Sequence, residues 1–151
     1  MTDTSSAPQG AAQPALLRHI LPVVVGGAVA LLLTIVTDNT LSAHGLLPAP
    51  EHPVFETGPL VLAAAYRALF TVLGAHLAAR LAPEGQPRIR YAIALGMMLF
   101  IVNVLGAQSL RGLVPTWYWF AGIALPVPCA IIGGGTAVRA LEARARAASK
   151  A

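Results

Sequence analysis

Long apolar blocks separated by short polar stretches organise this chain. Residues 20–36 carry no charge, and with their flanks they form a first apolar block over residues 16–37. Three more blocks follow at residues 59–82, 91–107 and 117–138. A helix rises 1.5 Å per residue, so about 20 apolar residues cross the hydrocarbon core of a bilayer. Each block therefore predicts one membrane-crossing helix.

Proline and glycine mark the ends. Pro22 lies in the first turns of the first block, where its missing N–H does least harm. Thr57-Gly58-Pro59 reads as a helix start and Pro83 as a stop. Residues 38–58, with Pro48, Pro50 and Pro53, read as a loop. The turn over residues 83–90 is short enough to predict that the second and third helices form a hairpin. Pro126 and Pro128 should bend or break the fourth helix, and the Gly133-Gly134-Gly135 run should let it fray. The expected architecture is an all-α bundle of four transmembrane helices with antiparallel neighbours. Residues 1–15 are expected to form a disordered tail, and residues 139–151 a basic cytoplasmic tail that is helical at first.

Composition removes the soluble alternatives. The 151 residues are 56% hydrophobic and 11% charged, with mean hydropathy +0.70. An average soluble domain is nearer a quarter charged. So few charges cannot cover the surface of a chain this small, and disorder needs low hydrophobicity. The lipid bilayer is the implied partner; no nucleic acid and no cofactor are expected. Cys129 is the only cysteine, so no internal disulfide can form.

The formal charge of +4 has a direction. Four crossings put both ends of the chain on one side. On that side fall Arg18, Arg80, Arg88, Arg90, Arg139, Arg144, Arg146 and Lys150, against Arg111 alone in the opposite loops. The positive-inside rule then places both termini in the cytoplasm, in a bacterial inner (plasma) membrane.

Arg67 breaks the pattern. It lies about eight residues into the second block, roughly 12 Å from the outer boundary. A central Arg costs about 2.5–3.5 kcal/mol on the insertion scale, and neighbouring Leu, Val and Phe residues return roughly 0.3–0.6 kcal/mol each. The second helix is thus marginal alone and needs a partner for its guanidinium. Helical side chains lean toward the helix N-terminus, which directs Arg67 outward, toward Asp38 at the end of the first block. Glu56, Asn103 or a trapped water are the alternatives. Arg67, Asp38, Tyr66 and Asn103 form the candidate buried polar centre.

Other features carry less. Trp117, Tyr118 and Trp119 suit an aromatic belt at the headgroup boundary. Gly26, Gly27, Gly74, Gly96, Gly133 and Gly134 are candidate packing positions where helices approach closely. His44, Glu51, His52 and Glu56 could gather outside the membrane, but their spacing matches no metal-ligand pattern, and no metal is expected. Ser42, Ser109 and Cys129 lack the context of a nucleophile, so no enzyme is expected.

Several words combine into a family likeness. Thr37-Asp38 with Gly45 and Pro48, Ala65-Tyr66-Arg67, Ala79-Arg80-Leu81-Ala82-Pro83, residues 92–96, Trp117-Tyr118, Pro128-Cys129-Ala130 and Gly133-Gly134 together resemble a family of small four-span bacterial inner-membrane proteins. That likeness implies no activity; it adds that Asp38, Tyr66 and Arg67 fall in shared motifs. Where such proteins tend to carry a histidine four residues after the Asp and another before the third helix, this chain has Ser42 and Tyr91. The leading expectation is a non-enzymatic assembly or accessory membrane protein, joined to itself or to another membrane protein through the small-residue faces. The alternative is a small transporter, or a subunit of one, handling an anionic or small polar solute.

Overall fold

The structure, a computed structural model, describes residues 12–47, 53–54, 56–110 and 112–150. Its elements are α1 (Ala12–Ala43), α2 (Thr57–Leu81), α3 (Ile89–Gly106), a 3-10 turn (Ala107–Leu110), α4 (Thr116–Ala124) and α5 (Pro126–Ala148). Four helical stretches are long and apolar enough to cross a membrane, α4 and α5 together making the fourth. Among the described residues every regular element is helical, and a helix suits lipid because it satisfies its backbone polar groups within itself.

α2 is the central element, packed against α1, α5 and α3, while α3 also packs on α5. The core between them is made largely of alanine: Ala75, Ala78, Ala79, Ala92, Ala130 and Ala137, with Leu95 and Leu99. Small side chains let backbones close up, which matters in lipid, where apolar packing between helices gains nothing from water. At Gly26 and Gly74 the approach is reciprocal. A Cβ on either would fall within 3.0 Å of the other's carbonyl oxygen. Gly133 meets the Val72 carbonyl in the same way, Gly134 meets Ala92, Gly96 meets Ala130, and Gly27 meets Met98. All six candidate packing glycines are thus used inside the chain. Assembly with another molecule through the faces of Gly26, Gly74, Gly96 and Gly133 would require opening this bundle.

Large apolar side chains point outward instead: Leu32, Ile35, Val36, Leu69, Leu105, Phe120 and Ile132 are all more than half exposed. In lipid this is the stable arrangement, since acyl chains solvate them.

The boundaries differ from expectation at three places. α1 starts at Ala12 and ends at Ala43, so Asp38 lies within a helix and not at the start of a loop. The polar run Asp38-Asn39-Thr40 contains no breaker, and the Thr40 hydroxyl donates to the Val36 carbonyl at 2.7 Å, inside the helix. Gly45, at φ +70°, is the residue that turns the chain. The tail expected over residues 1–15 is helical from Ala12, and residues 1–11 lie outside the described residues. The triple glycine does not fray: Gly133 and Gly134 are buried against α2 and α3, and α5 continues to Ala148. The expected break at Pro126 is present, with α4 ending at Ala124.

Contacts at one end of the bundle gather its cationic residues. The His19 ring stacks on Tyr91, with a hydrogen bond of 2.5 Å between Nδ1 and the phenol. Arg88 donates from Nη1 to the Arg80 carbonyl at 3.1 Å, capping the end of α2. Further out, Glu142 and Arg146 form an exposed i,i+4 pair at 3.7 Å.

Candidate functional site

Three of the four expected polar residues meet. Arg67, near the middle of α2, donates from Nη2 to Asp38 Oδ2 at 2.7 Å. The hydroxyl of Tyr66, one residue earlier, donates to the other oxygen, Asp38 Oδ1. Successive residues on a helix point about 100° apart, so two neighbours can grip one carboxylate only when it enters from between them. The continuation of α1 past Val36 places Asp38 there. Both oxygens of Asp38 thereby have a donor, and the formal charges of Arg67 and Asp38 cancel.

Only Nη2 of the guanidinium is engaged by another described residue, and the side chain keeps 44% of its surface. Arg67 lines two hollows. One, of about 80 Å³, lies among α2, α3, α4 and the start of α5, with Thr71, Asn103, Tyr118, Trp119, Gly122 and Pro126 around it. The other, about 230 Å³, is a more open cleft between α1 and α3 bordered by Thr34, Leu99 and Val102. Arg67, Thr71 and Asn103 line both. The smaller hollow has room for several waters and enough polar groups to hold them.

Asn103 therefore belongs to the polar centre, but as part of its wall. Its amide makes no hydrogen bond to another described residue, and both its donor and acceptor groups remain available. The Thr71 hydroxyl, one turn after Arg67, donates to the Arg67 carbonyl at 2.9 Å.

The aromatic cluster divides. Trp117 is 40% exposed, as a belt residue would be, whereas Tyr118 is only 8% exposed. Tyr118 packs on Leu60 and Ala63 and forms a wall of the smaller hollow, which Trp119 also lines. A run of four aromatic residues on a helix cannot all face one boundary; α4 turns Tyr118 inward. Sequence reasoning missed Tyr118, Thr71, Gly122 and Pro126 as parts of the site. Thr71 was within reach, being one turn from Arg67 on the same face; no local signal marked Tyr118.

The break between α4 and α5 opens onto this hollow. Pro126 has no N–H, so the Gly122 carbonyl loses its normal helical donor, and Pro128 does the same to Ala124. Irregular backbone at membrane depth is tolerated where it is buried in protein or lines a hydrated cavity. The hollow is thus lined by a guanidinium, an amide, a phenol and the glycine whose usual helical donor is replaced by Pro126.

Of the outer cluster, Glu51 and His52 lie outside the described residues, and His44 Nδ1 sits 2.8 Å from the Thr40 carbonyl of its own helix. His76 Nδ1 lies 3.1 Å from the Thr136 hydroxyl, joining α2 to α5 away from the site.

Comparison with known protein families, curated proteins and solved structures finds no match. Three of the residues singled out by their sequence motifs, Asp38, Tyr66 and Arg67, form one hydrogen-bonded group.

Proposed function

We propose that this chain is a non-enzymatic bacterial inner-membrane protein of four antiparallel helices, both termini cytoplasmic. It acts as a small transporter, or a transporter subunit, for a small polar or anionic solute. The observation that carries the reading is the sharing of one hollow by Arg67 and the proline break of the fourth span. Discontinuous helices that present free backbone groups beside a fixed charge are a recurrent way to hold a polar solute at mid-membrane. An ionisable side chain at this depth is costly and points to a polar pathway.

The test is flux. Purified protein in sealed vesicles should admit nitrate, formate or acetate faster than protein-free vesicles do. The Arg67→Gln variant, reconstituted at equal density, should fall to the protein-free rate. Flux that Arg67→Gln leaves unchanged would remove this function.

A second reading keeps the chain as an accessory protein that assembles with another membrane protein. The cleft between α1 and α3 favours it, because 44% of the Arg67 side chain is uncovered at a depth where lipid solvates it poorly. Crosslinking from Val102 to a partner helix, lost on detergent dissociation, is the expected sign.

A further inference from the structure

We infer that the Arg67 hollow takes a small, planar, monovalent oxyanion, of the carboxylate or nitrate type, together with one proton that Asp38 receives. This rests on the solute-binding reading of the same site.

The ligand class follows from geometry and size. A guanidinium offers donors along two planar edges, a match for two oxygens of a planar anion. Asp38 takes one hydrogen bond from Nη2, which leaves the other guanidinium N–H groups without a partner among the described residues, and Arg67 lines the hollow. Thr71, Asn103 and Tyr118 add further polar contacts around a space of about 80 Å³, which suits an anion of a few heavy atoms.

The proton follows from charge. The empty site is neutral, Arg67 against Asp38. An anion arriving on the open edge would leave one uncompensated negative charge in a low-dielectric setting, which is strongly disfavoured. Some group must take a proton. Arg67 is permanently charged, and Tyr66 and Tyr118 already carry their protons. The residues lining the hollow from α3, the 3-10 turn and α5 include Asn103, Ala107 and Pro126, none of which titrates. Asp38 is the remaining acceptor. When it takes a proton from water, one O–H bond forms on its carboxyl and the site returns to neutrality with the anion in place. When the anion leaves, that proton returns to water. Protonation also loosens the hold of Asp38 on Arg67, freeing the guanidinium for the incoming ligand.

Nitrate is the decisive probe because it stays ionised at all relevant pH values, so any proton taken up is the protein's. In detergent or nanodiscs, nitrate affinity of the full chain should rise as the pH is lowered, about tenfold per pH unit where binding takes up one whole proton. Calorimetry in two buffers of different ionisation enthalpy should show about one proton taken up per nitrate bound. Asp38→Asn, which mimics the protonated acid, should bind nitrate more tightly than the native chain at about pH 8 and with no pH dependence. Acetate should show the same proton linkage above its own titration range, which assigns the site to planar oxyanions as a class; binding of nitrate without acetate would overturn that assignment. Nitrate affinity that is flat with pH, with no proton uptake by the native protein, would overturn the coupling and leave the solute-binding function standing. Absence of nitrate and acetate binding at every pH, in the native chain and in Asp38→Asn alike, would overturn the coupling and the oxyanion class, while the flux of polar solutes through Arg67 is decided separately by the vesicle experiment. The calorimetric result on the native chain decides the coupling even where Asp38→Asn fails to fold.

Discussion

Asp38 accepts hydrogen bonds from Tyr66 and Arg67 on its two oxygens, so each partner depends on the others for its place in the membrane. Removing one charge of such a pair leaves the other uncompensated, which costs more than removing both. Arg67→Leu and Asp38→Leu should each lower the thermal unfolding midpoint in detergent. The double variant should recover most of that loss, because neither helix then carries a lone charge. Two single losses that simply add would place the pair outside the packing energetics of α1 and α2. The Arg67–Asp38 pairing was legible in the sequence because a mid-span cation needs a carboxylate and few were near. The role of Tyr118 was not. Adjacent aromatic residues look alike along a chain, and only the rotation of α4 turns one of them toward Leu60 and Ala63.

Helix contacts obey the same physics over longer stretches. Gly26 and Gly74 bring the backbones of α1 and α2 together so closely that a side chain on either meets the other's carbonyl. A bulky residue must push the helices apart, and such overpacking costs about 1–3 kcal/mol. Gly74→Leu should therefore reduce the folded fraction recovered from detergent, read by size exclusion and thermal melting. Gly135 sits inside α5 with open space where its Cβ would be. Gly135→Ala should be neutral or stabilising by up to about 1 kcal/mol, since alanine is the better helix former. The same element level explains where the expected boundaries slipped. Polar residues at 38–42 resemble a loop in a hydropathy profile, yet hydrogen bonding to the preceding turn keeps them helical. Glycines at 133–135 resemble a weak point, yet two of them are buried by neighbouring helices.

Across the chain, the distribution of charge is the basis of the proposed orientation. Arg18, Arg80, Arg88, Arg90, Arg139, Arg144, Arg146 and Lys150 oppose Arg111, itself outside the described residues. A reporter that is active only after export should be silent when fused after Ala151, and one that folds only in the cytoplasm should be active there. A cysteine placed at Gly45 should react with impermeant reagents from outside in a chain whose Cys129 is replaced by Ala. The reverse pattern would invert the proposed topology. The protein should also stay with the membrane under alkaline carbonate, as a chain with four apolar crossings must.

Four apolar stretches, the cationic residues that flank them and the mid-span Arg67 were all present in the linear order of residues, because hydrocarbon solvation acts on each segment separately and sums along it. Which glycines meet, which aromatic residue turns inward, and how Arg67 comes to border a hollow with Asn103 and the Pro126 break were settled by folding. Those relations join residues dozens of positions apart, and they exist only once helix rotation and crossing have brought particular faces together.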